Sequence, residues 1–194
     1  MIFYTNWFET GIYTCTIYCT YMPVDVVWFK RDLRARDHVP LLSASLSGRP
    51  VICLYILETE RLEQKDTDPI HIQWELDCAA DLSRTLNDSG AFLHYGLGDA
   101  TEVLEAIHLE HGIERLLSHE ETGNTWSYSR DISVSNFCKS RGIKWIEYPN
   151  NGVVRRLGNR DGWKRERDKR MRDSLSSPPC LLYTSDAADD RNCV

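Results

Sequence analysis

The chain has 194 residues, the size of one ordinary domain, and with 42% hydrophobic and 27% charged residues it can form a buried core. This composition excludes an intrinsically disordered chain, and the net charge of −6 excludes a general attraction to nucleic acid. No apolar run is long enough to cross a membrane as a helix.

Five short apolar segments are predicted as strands, at 24–29, 50–57, 91–95, 114–119 and 144–149. The first two read as continuous apolar runs, which is typical of strands buried on both faces of a sheet. Four helices are predicted between the strands from their capping and stop residues. The first helix is predicted at 38–47, with Asp37 as its N-cap and Gly48 as its stop. The second begins at Asp68 and Pro69 and ends at Gly90, and the third begins at Asp99 and ends at Gly112. The fourth is predicted near 127–140 and ends at Gly142.

Strands that alternate with helices over short connections indicate an α/β fold. We predict a doubly wound, Rossmann-like, five-stranded parallel sheet with helices on both faces. The alternation alone leaves the strand order open. In the order 3-2-1-4-5, the first and fourth strands would be neighbours at the switch point, where open parallel sheets bind ligands.

Polar residues are concentrated at the ends of these same two strands. The first strand runs into KRDLRARD at 30–37, and the fourth is followed by EETGNTWSYSRD at 120–131. One interpretation is that the two polar segments face each other across a ligand-binding crevice. The other is that the neighbouring pairs Arg31–Asp32 and Arg130–Asp131 are only ion pairs and helix-end charges.

Three motifs resemble the photolyase and cryptochrome family. WFKRDLRARDHVPL at 28–41 resembles the family pattern W-F-x-R-D-L-R-x-x-D-x-x-x-L, and HEETGNTWSYSRD at 119–131 is similar to the second family signature. NGVVRRLGNRDGW at 151–163 resembles the segment that follows the fifth strand in bacterial members. The sequence departs from the pattern at Lys30, where many members have Arg, and at His38, where many have Asn.

The resemblance implies the order 3-2-1-4-5 and an amino-terminal antenna domain. In the family this domain holds a light-harvesting chromophore, which is a methenyltetrahydrofolate, a deazaflavin, a flavin or a lumazine. Eight residues are candidates for lining the antenna pocket, with Phe29 as apolar wall, or for contacting the next domain. They are Phe29, Lys30, Arg31, Asp32, Arg34, Glu120, Glu121 and Asn124.

The resemblance also implies a partner domain. A helical domain that binds FAD and damaged DNA is expected to follow in the same parent protein and to hold the catalytic residues. No catalytic residue and no metal site is therefore assigned here, and this chain alone is expected to be inactive. We expect a monomer without membrane attachment.

Three functions remain open from the sequence. The first is the antenna domain of a DNA photolyase, a lyase that repairs pyrimidine dimers with light and FAD. The second is the same domain of a cryptochrome blue-light photoreceptor. The third is a freestanding nucleotide-binding module, similar to stress proteins or electron-transfer flavoproteins, which a Gly-rich phosphate loop would favour. The Gly96-Leu97-Gly98 turn lacks the third glycine of such a loop.

The two ends differ from the centre, and we predict four segments. Residues 1–21 are expected to be translated upstream sequence before a start at Met22, 22–150 to be the α/β domain, and 151–179 a basic linker toward the FAD-binding domain. Residues 180–194 are expected to be a tail, since CLLYTSDAAD at 180–189 resembles a translated sequencing adaptor. The three cysteines between the ends are widely spaced and odd in number, which indicates a reducing, cytoplasmic setting.

Two further features have an ordinary interpretation at this stage. Residues 155–172 contain nine Lys or Arg against three acids, which could contact phosphate, but a solvated linker or helix face is favoured. The six histidines are scattered along the chain. His108 and His111 have no further ligand nearby in the sequence and are predicted to be surface residues.

Overall fold

A computed structural model describes residues 22–155 and 158–179 of the chain. The predictions for residues 1–21 and 180–194 lie outside the described residues. Among the described residues, no helix combines the length and the apolar character needed to span a bilayer.

The five predicted strands form one parallel sheet. They are β1 (Val24–Phe29), β2 (Val51–Leu57), β3 (Leu93–Leu97), β4 (Ile113–His119) and β5 (Lys144–Tyr148). Their order is β3-β2-β1-β4-β5, so the predicted fold class and order 3-2-1-4-5 are confirmed. The third strand begins two residues later than predicted, because the amide of Ala91 still donates to the Leu86 carbonyl of the preceding helix, at 3.0 Å.

Six helices lie in the described residues, two more than predicted. They are α1 (Val39–Ser45), α2 (Thr59–Leu62), α3 (Pro69–Asn87), α4 (Ala100–His111), α5 (Thr125–Arg141) and α6 (Trp163–Arg172). Asp68 and Asp99 cap α3 and α4 with their carboxylates, as predicted. The short α2 and the basic α6 were not predicted.

The predicted N-cap of α1 was wrong. His38 holds that position, and its Nδ1 accepts the Leu41 amide at 3.1 Å. Asp37 lies one residue earlier with a φ of +51°, a left-handed conformation that Asp tolerates better than most residues. Its carboxylate accepts the amide of Ser176 at 3.0 Å and so fastens the end of the described chain to the loop after β1.

The sheet has a hydrophobic core on each face, and β1 contributes side chains to both cores. Val27 and Phe29 pack with residues of α1 and α3, whereas Val26 and Trp28 pack with residues of α4 and α5. Every residue of β1 is buried, as expected for a central parallel strand. Burial of each large side chain contributes about 1.5–3 kcal/mol, so the two cores together hold the sheet between its helices.

Candidate functional site

The strands β1 and β5 and the helix α5 enclose a buried lysine. Lys30 Nζ lies 3.3 Å from Asp131 Oδ1 and 3.5 Å from Glu147 Oε1. The same ammonium lies 4.9 Å from the ring centre of Trp28 and 5.3 Å from that of Trp145. Two carboxylates and two indoles thus replace the water that this charge loses on burial.

Arg130 of α5 is the second buried cation of this region. Its guanidinium binds Glu58 and Glu121 and lies 3.0 Å from Asp131 Oδ1. It also lies 4.8 Å from the ring centre of Trp28. Glu121 in turn contacts the half-exposed Arg31 at 3.2 Å. The fold therefore brings residues up to 117 positions apart in the sequence into one network.

Arg155 closes this network from the segment after β5. It makes bidentate contacts of about 3 Å to Glu147 and a 3.2 Å contact to Asp131. Its Nε donates to the backbone carbonyl of Glu121 at 3.1 Å. Arg155 therefore ties β5, α5 and the loop after β4 together across the carboxyl edge of the sheet.

The predicted crevice between β1 and β4 is filled by this network. Lys30, Arg31 and Glu121 line it together with Trp28, Glu58 and Arg130. The free space is about 10 Å³, which is close to the minimum for one water molecule. A chromophore could enter only if some of these ion pairs separated.

An open cleft lies beside the crevice. It is lined by the ends of β2 and β3 and by the first turns of α5, and its main residues are Glu58, Glu60, Asp99, Trp126 and Arg130. Trp126 donates its indole N–H to Glu60 at 3.2 Å, and Arg130 lies 5.4 Å from its ring centre. The volume of about 120 Å³ is well below the 300–1,000 Å³ typical of pockets that enclose a whole ligand.

Two carboxyl groups of the network have raised pKa values. Burial raises the pKa of Glu58 to about 7, and the repulsion from Glu121 adds to this while Arg130 opposes it. Burial also raises the pKa of Glu147, although Lys30 and Arg155 oppose the change. Glu58 lines both the crevice and the cleft, so its carboxyl group is the one that a ligand at either place would contact.

A separate buried cluster joins β1, α1 and β4. Asp32 accepts hydrogen bonds from the Lys30 amide at 2.9 Å, from His38 Nε2 at 2.8 Å and from His119 Nδ1 at 2.5 Å. Burial opposes ionisation of Asp32, but the bonds from both histidines outweigh it and hold its pKa below the ordinary value. Burial lowers the pKa of His38 despite its bond to Asp32.

This cluster contains three side chains of metal-ligating type, Asp32, His38 and His119. Its hydrogen bonds argue against a metal ion. His38 Nδ1 accepts the Leu41 amide, so the neutral ring carries its proton on Nε2, the atom that faces Asp32. Metal-bound histidines instead donate from the second ring nitrogen, so the cluster is best described as a hydrogen-bonded link between elements.

The other predicted site residues lie elsewhere. Phe29 is fully buried on the opposite face of the sheet, 4.5 Å from the His38 ring, and lines neither the crevice nor the cleft. Arg34 donates to the Asp37 carbonyl and to Asn150, and Glu120 contacts Arg170 at 3.3 Å. Asn124 caps α5 and donates to Asp66.

The ion-pair interpretation holds for one of its two pairs. Arg130 does contact Asp131, but Arg31 pairs with Glu121 and Asp32 binds the two histidines. Sequence reasoning did not name Trp126, Glu147 or Arg155 as site residues. It also missed Glu58, which lines both the crevice and the cleft. Its signal was available, because Glu58 directly follows β2 and so lies at the same carboxyl edge as the segments after β1 and β4.

The fold and this edge define a doubly wound α/β domain with a charged, tryptophan-lined carboxyl edge at its switch point. The family profile described as DNA photolyase matches residues 25–158. A cryptochrome DASH from Gloeobacter violaceus is 30% identical over 116 residues, which are 57% of this chain and 23% of that protein. A deoxyribodipyrimidine photo-lyase from Agrobacterium fabrum is 34% identical over 95 residues, which are 47% of this chain and 19% of that protein.

Among solved structures, a bacterial class III photolyase from Agrobacterium tumefaciens is similar with a TM-score of 0.71 and 22% identity, covering 88% of this chain and 37% of that chain. The chain belongs to the DNA photolyase family, and its described part has the fold of the N-terminal α/β domain of photolyases and cryptochromes. It spans about a fifth to a quarter of the length of the two curated relatives.

Proposed function

We propose that this chain is the antenna domain of a DNA photolyase. In the parent protein it would hold a light-harvesting chromophore at its carboxyl edge and pack against a helical domain that binds FAD and damaged DNA. The observation that carries the proposal is the open cleft lined by Trp126, Arg130 and Glu58, which lies beside the switch point of the sheet.

The chemistry of the cleft suits one edge of a planar, polar ring system. The Trp126 indole offers a stacking surface, and the carboxyl groups of Glu58 and Glu60 can accept hydrogen bonds from ring N–H groups. Folates, deazaflavins, flavins and lumazines all have such edges. The cleft is too small for the whole molecule, so the remainder would lie outside it or would enter the crevice after Arg31 and Glu121 separate.

Chromophore titration of the full chain tests this proposal. Methenyltetrahydrofolate, a deazaflavin, a flavin and a lumazine are each added, and binding is followed by the change in their fluorescence. Trp126→Ala should weaken binding about 5- to 160-fold, since stacking on one aromatic ring is worth about 1–3 kcal/mol. Trp163→Ala is the matched control, because Trp163 is an exposed indole that does not line the cleft.

Arg31→Ala and Glu121→Ala distinguish the crevice from the cleft. If the ligand enters the crevice, both variants should change its affinity, because they remove the outer ion pair of the filled space. Equal binding by Trp126→Ala, Arg31→Ala, Glu121→Ala and the unmodified chain would place the chromophore elsewhere and would refute the proposed site.

The alternative is the same domain of a cryptochrome, which the similarity to the Gloeobacter violaceus cryptochrome DASH favours. The two alternatives differ in what the FAD-binding domain does with light. A light-dependent repair assay on a dimer-containing oligonucleotide, made with the gene product that contains both domains, separates them. Dimer splitting supports the photolyase, and a flavin that is reduced by light without repair supports the cryptochrome.

A further inference from the structure

Helix α6 and the residues before it carry a net positive charge, whereas the net charge of the whole chain is negative. Residues 155–172 hold nine Lys or Arg and three acids, although the chain as a whole has a net charge of −6. Six of these basic residues lie within the ten residues of α6. The helix therefore forms a local positive region on an acidic protein.

Two arginines hold α6 against the domain. Arg170 donates to the Val153 carbonyl at 2.7 Å and contacts Glu120 at 3.3 Å. The aliphatic part of Arg167 packs against Gly152. The approach is so close that a Cβ atom at position 152 would lie only 2.7 Å from Arg167 Cγ. These contacts set which side of the helix faces the domain.

The opposite side of α6 presents three basic residues in a row. Arg165, Lys169 and Arg172 are spaced i, i+4, i+7 and therefore share one face over about 10 Å of helix. All three are exposed. We call this set the basic stripe.

The basic stripe is mostly without acidic partners among residues 22–155 and 158–179. Lys169 and Arg172 have no carboxylate within 4 Å there, and Arg165 has only its neighbour Glu166, at 3.6 Å. The cations of the carboxyl edge differ in this respect, since Lys30 and Arg130 each bind two or more acids. Like charges one turn apart also destabilise a helix by a few tenths of a kcal/mol, so the stripe does not serve the stability of α6.

We propose that the basic stripe binds the phosphate backbone of duplex DNA, independently of the base sequence. A row of cations at one-turn spacing, without a pocket or an aromatic residue between them, suits the repeated charge of a nucleic-acid backbone. A specific protein partner would instead need an apolar or aromatic centre in the surface.

An anionic membrane fits the stripe less well. A helix that lies on a membrane places apolar side chains beside its basic residues so that both reach the same surface. The large apolar residues of α6 are Trp163 and Met171, and Trp163 lies roughly 160° around the helix from Arg165. A flat membrane surface therefore cannot contact Trp163 and Arg165 at the same time.

The proposal is independent of chromophore binding, and each can fail without the other. It adds a contact from α6, in the segment that follows the α/β domain, to the DNA contacts expected of the FAD-binding domain. The three cations should give a slope of about −2.7 in a plot of log affinity against log salt, or about a fortyfold loss of affinity between 50 and 200 mM salt.

The experiment measures the anisotropy of a fluorescein-labelled, undamaged 20-base-pair duplex on titration with the full chain at several salt concentrations. The triple variant Arg165→Ala, Lys169→Ala, Arg172→Ala should lose the salt slope and most of the affinity. A control triple variant, Lys65→Ala, Lys139→Ala, Lys144→Ala, removes the same charge from exposed positions outside α6 and should retain both. Circular dichroism of both variants reports whether the helix content is kept.

Three results would overturn the proposal. The first is that the unmodified chain does not bind duplex DNA, and the second is that the two triple variants lose the same affinity for DNA. The third is that the stripe variant loses binding to phosphatidylserine vesicles but keeps its affinity for DNA. A loss confined to the stripe variant, with helix content unchanged, supports it.

Discussion

Replacing Glu58 with Gln should make the pH dependence of stability measurably flatter. Glu58 is buried at the carboxyl edge, and burial raises its pKa to about 7 from the ordinary value of 4.5. The folded protein therefore holds this proton more tightly than the unfolded chain does. The stability from the protonated group is fully present below pH 4.5 and is lost as the pH rises through 7.

The magnitude follows from the size of the pKa change. A difference of about 2.5 pH units corresponds to about 3 kcal/mol in the free energy of unfolding, at about 1.4 kcal/mol per unit. Glutamine keeps the shape of Glu58 but cannot ionise. Because part of this difference is already reached at pH 5, which lies above 4.5, the stability of Glu58→Gln relative to the unmodified protein should be about 2–3 kcal/mol more favourable at pH 8 than at pH 5.

Urea denaturation at pH 5, 6, 7 and 8 measures this difference, and comparison within each pH cancels the titration of all other groups. Glu60→Gln, on the adjacent exposed turn, controls for the general effect of removing one acidic side chain. Parallel stability curves for Glu58→Gln and the unmodified chain would show that Arg130 keeps Glu58 ionised throughout, and the reasoning from burial would be refuted.

Three further predictions concern the buried cluster, the packing and the cofactor. Asp32→Asn should destabilise the fold by about 3 kcal/mol, because the charged acceptor of both histidines is lost. The folded pKa of Asp32 lies below 3.8, so the unmodified chain should lose stability as the pH falls below that value. Acid unfolding measures this loss, and the variant should lack it. Gly96→Ala should cost about 1–3 kcal/mol, because the added carbon would lie 2.8 Å from Val103 Cγ1, whereas Gly158→Ala meets nothing within 4 Å and should be nearly neutral in urea denaturation. The chain purified alone should show no stoichiometric FAD in its absorption spectrum and no light-dependent repair, because none of its side chains supplies flavin redox chemistry; either signal would contradict the assignment of catalysis to another domain.

The sequence alone determined the local structure of this protein well. Capping by Asp68 and Asp99 and the apolar runs of β1 and β2 depend on residues close together in the chain, so their pattern is visible without the fold. The one wrong cap shows the limit of that reasoning. Asp37 has the usual capping chemistry, but His38 takes the position because its ring is already held by Asp32.

The tertiary structure decided how the polar residues combine. Strand periodicity shows that Trp28 and Phe29 point to opposite faces, but only the packing of α1 and α3 against one face and α4 and α5 against the other shows that Trp28 borders the site. The strand order came from family resemblance and not from the residues themselves. Lys30 meets Glu147 across 117 positions because parallel strands bring their carboxyl ends to one edge, and a contact over such a distance leaves no periodic trace in the sequence.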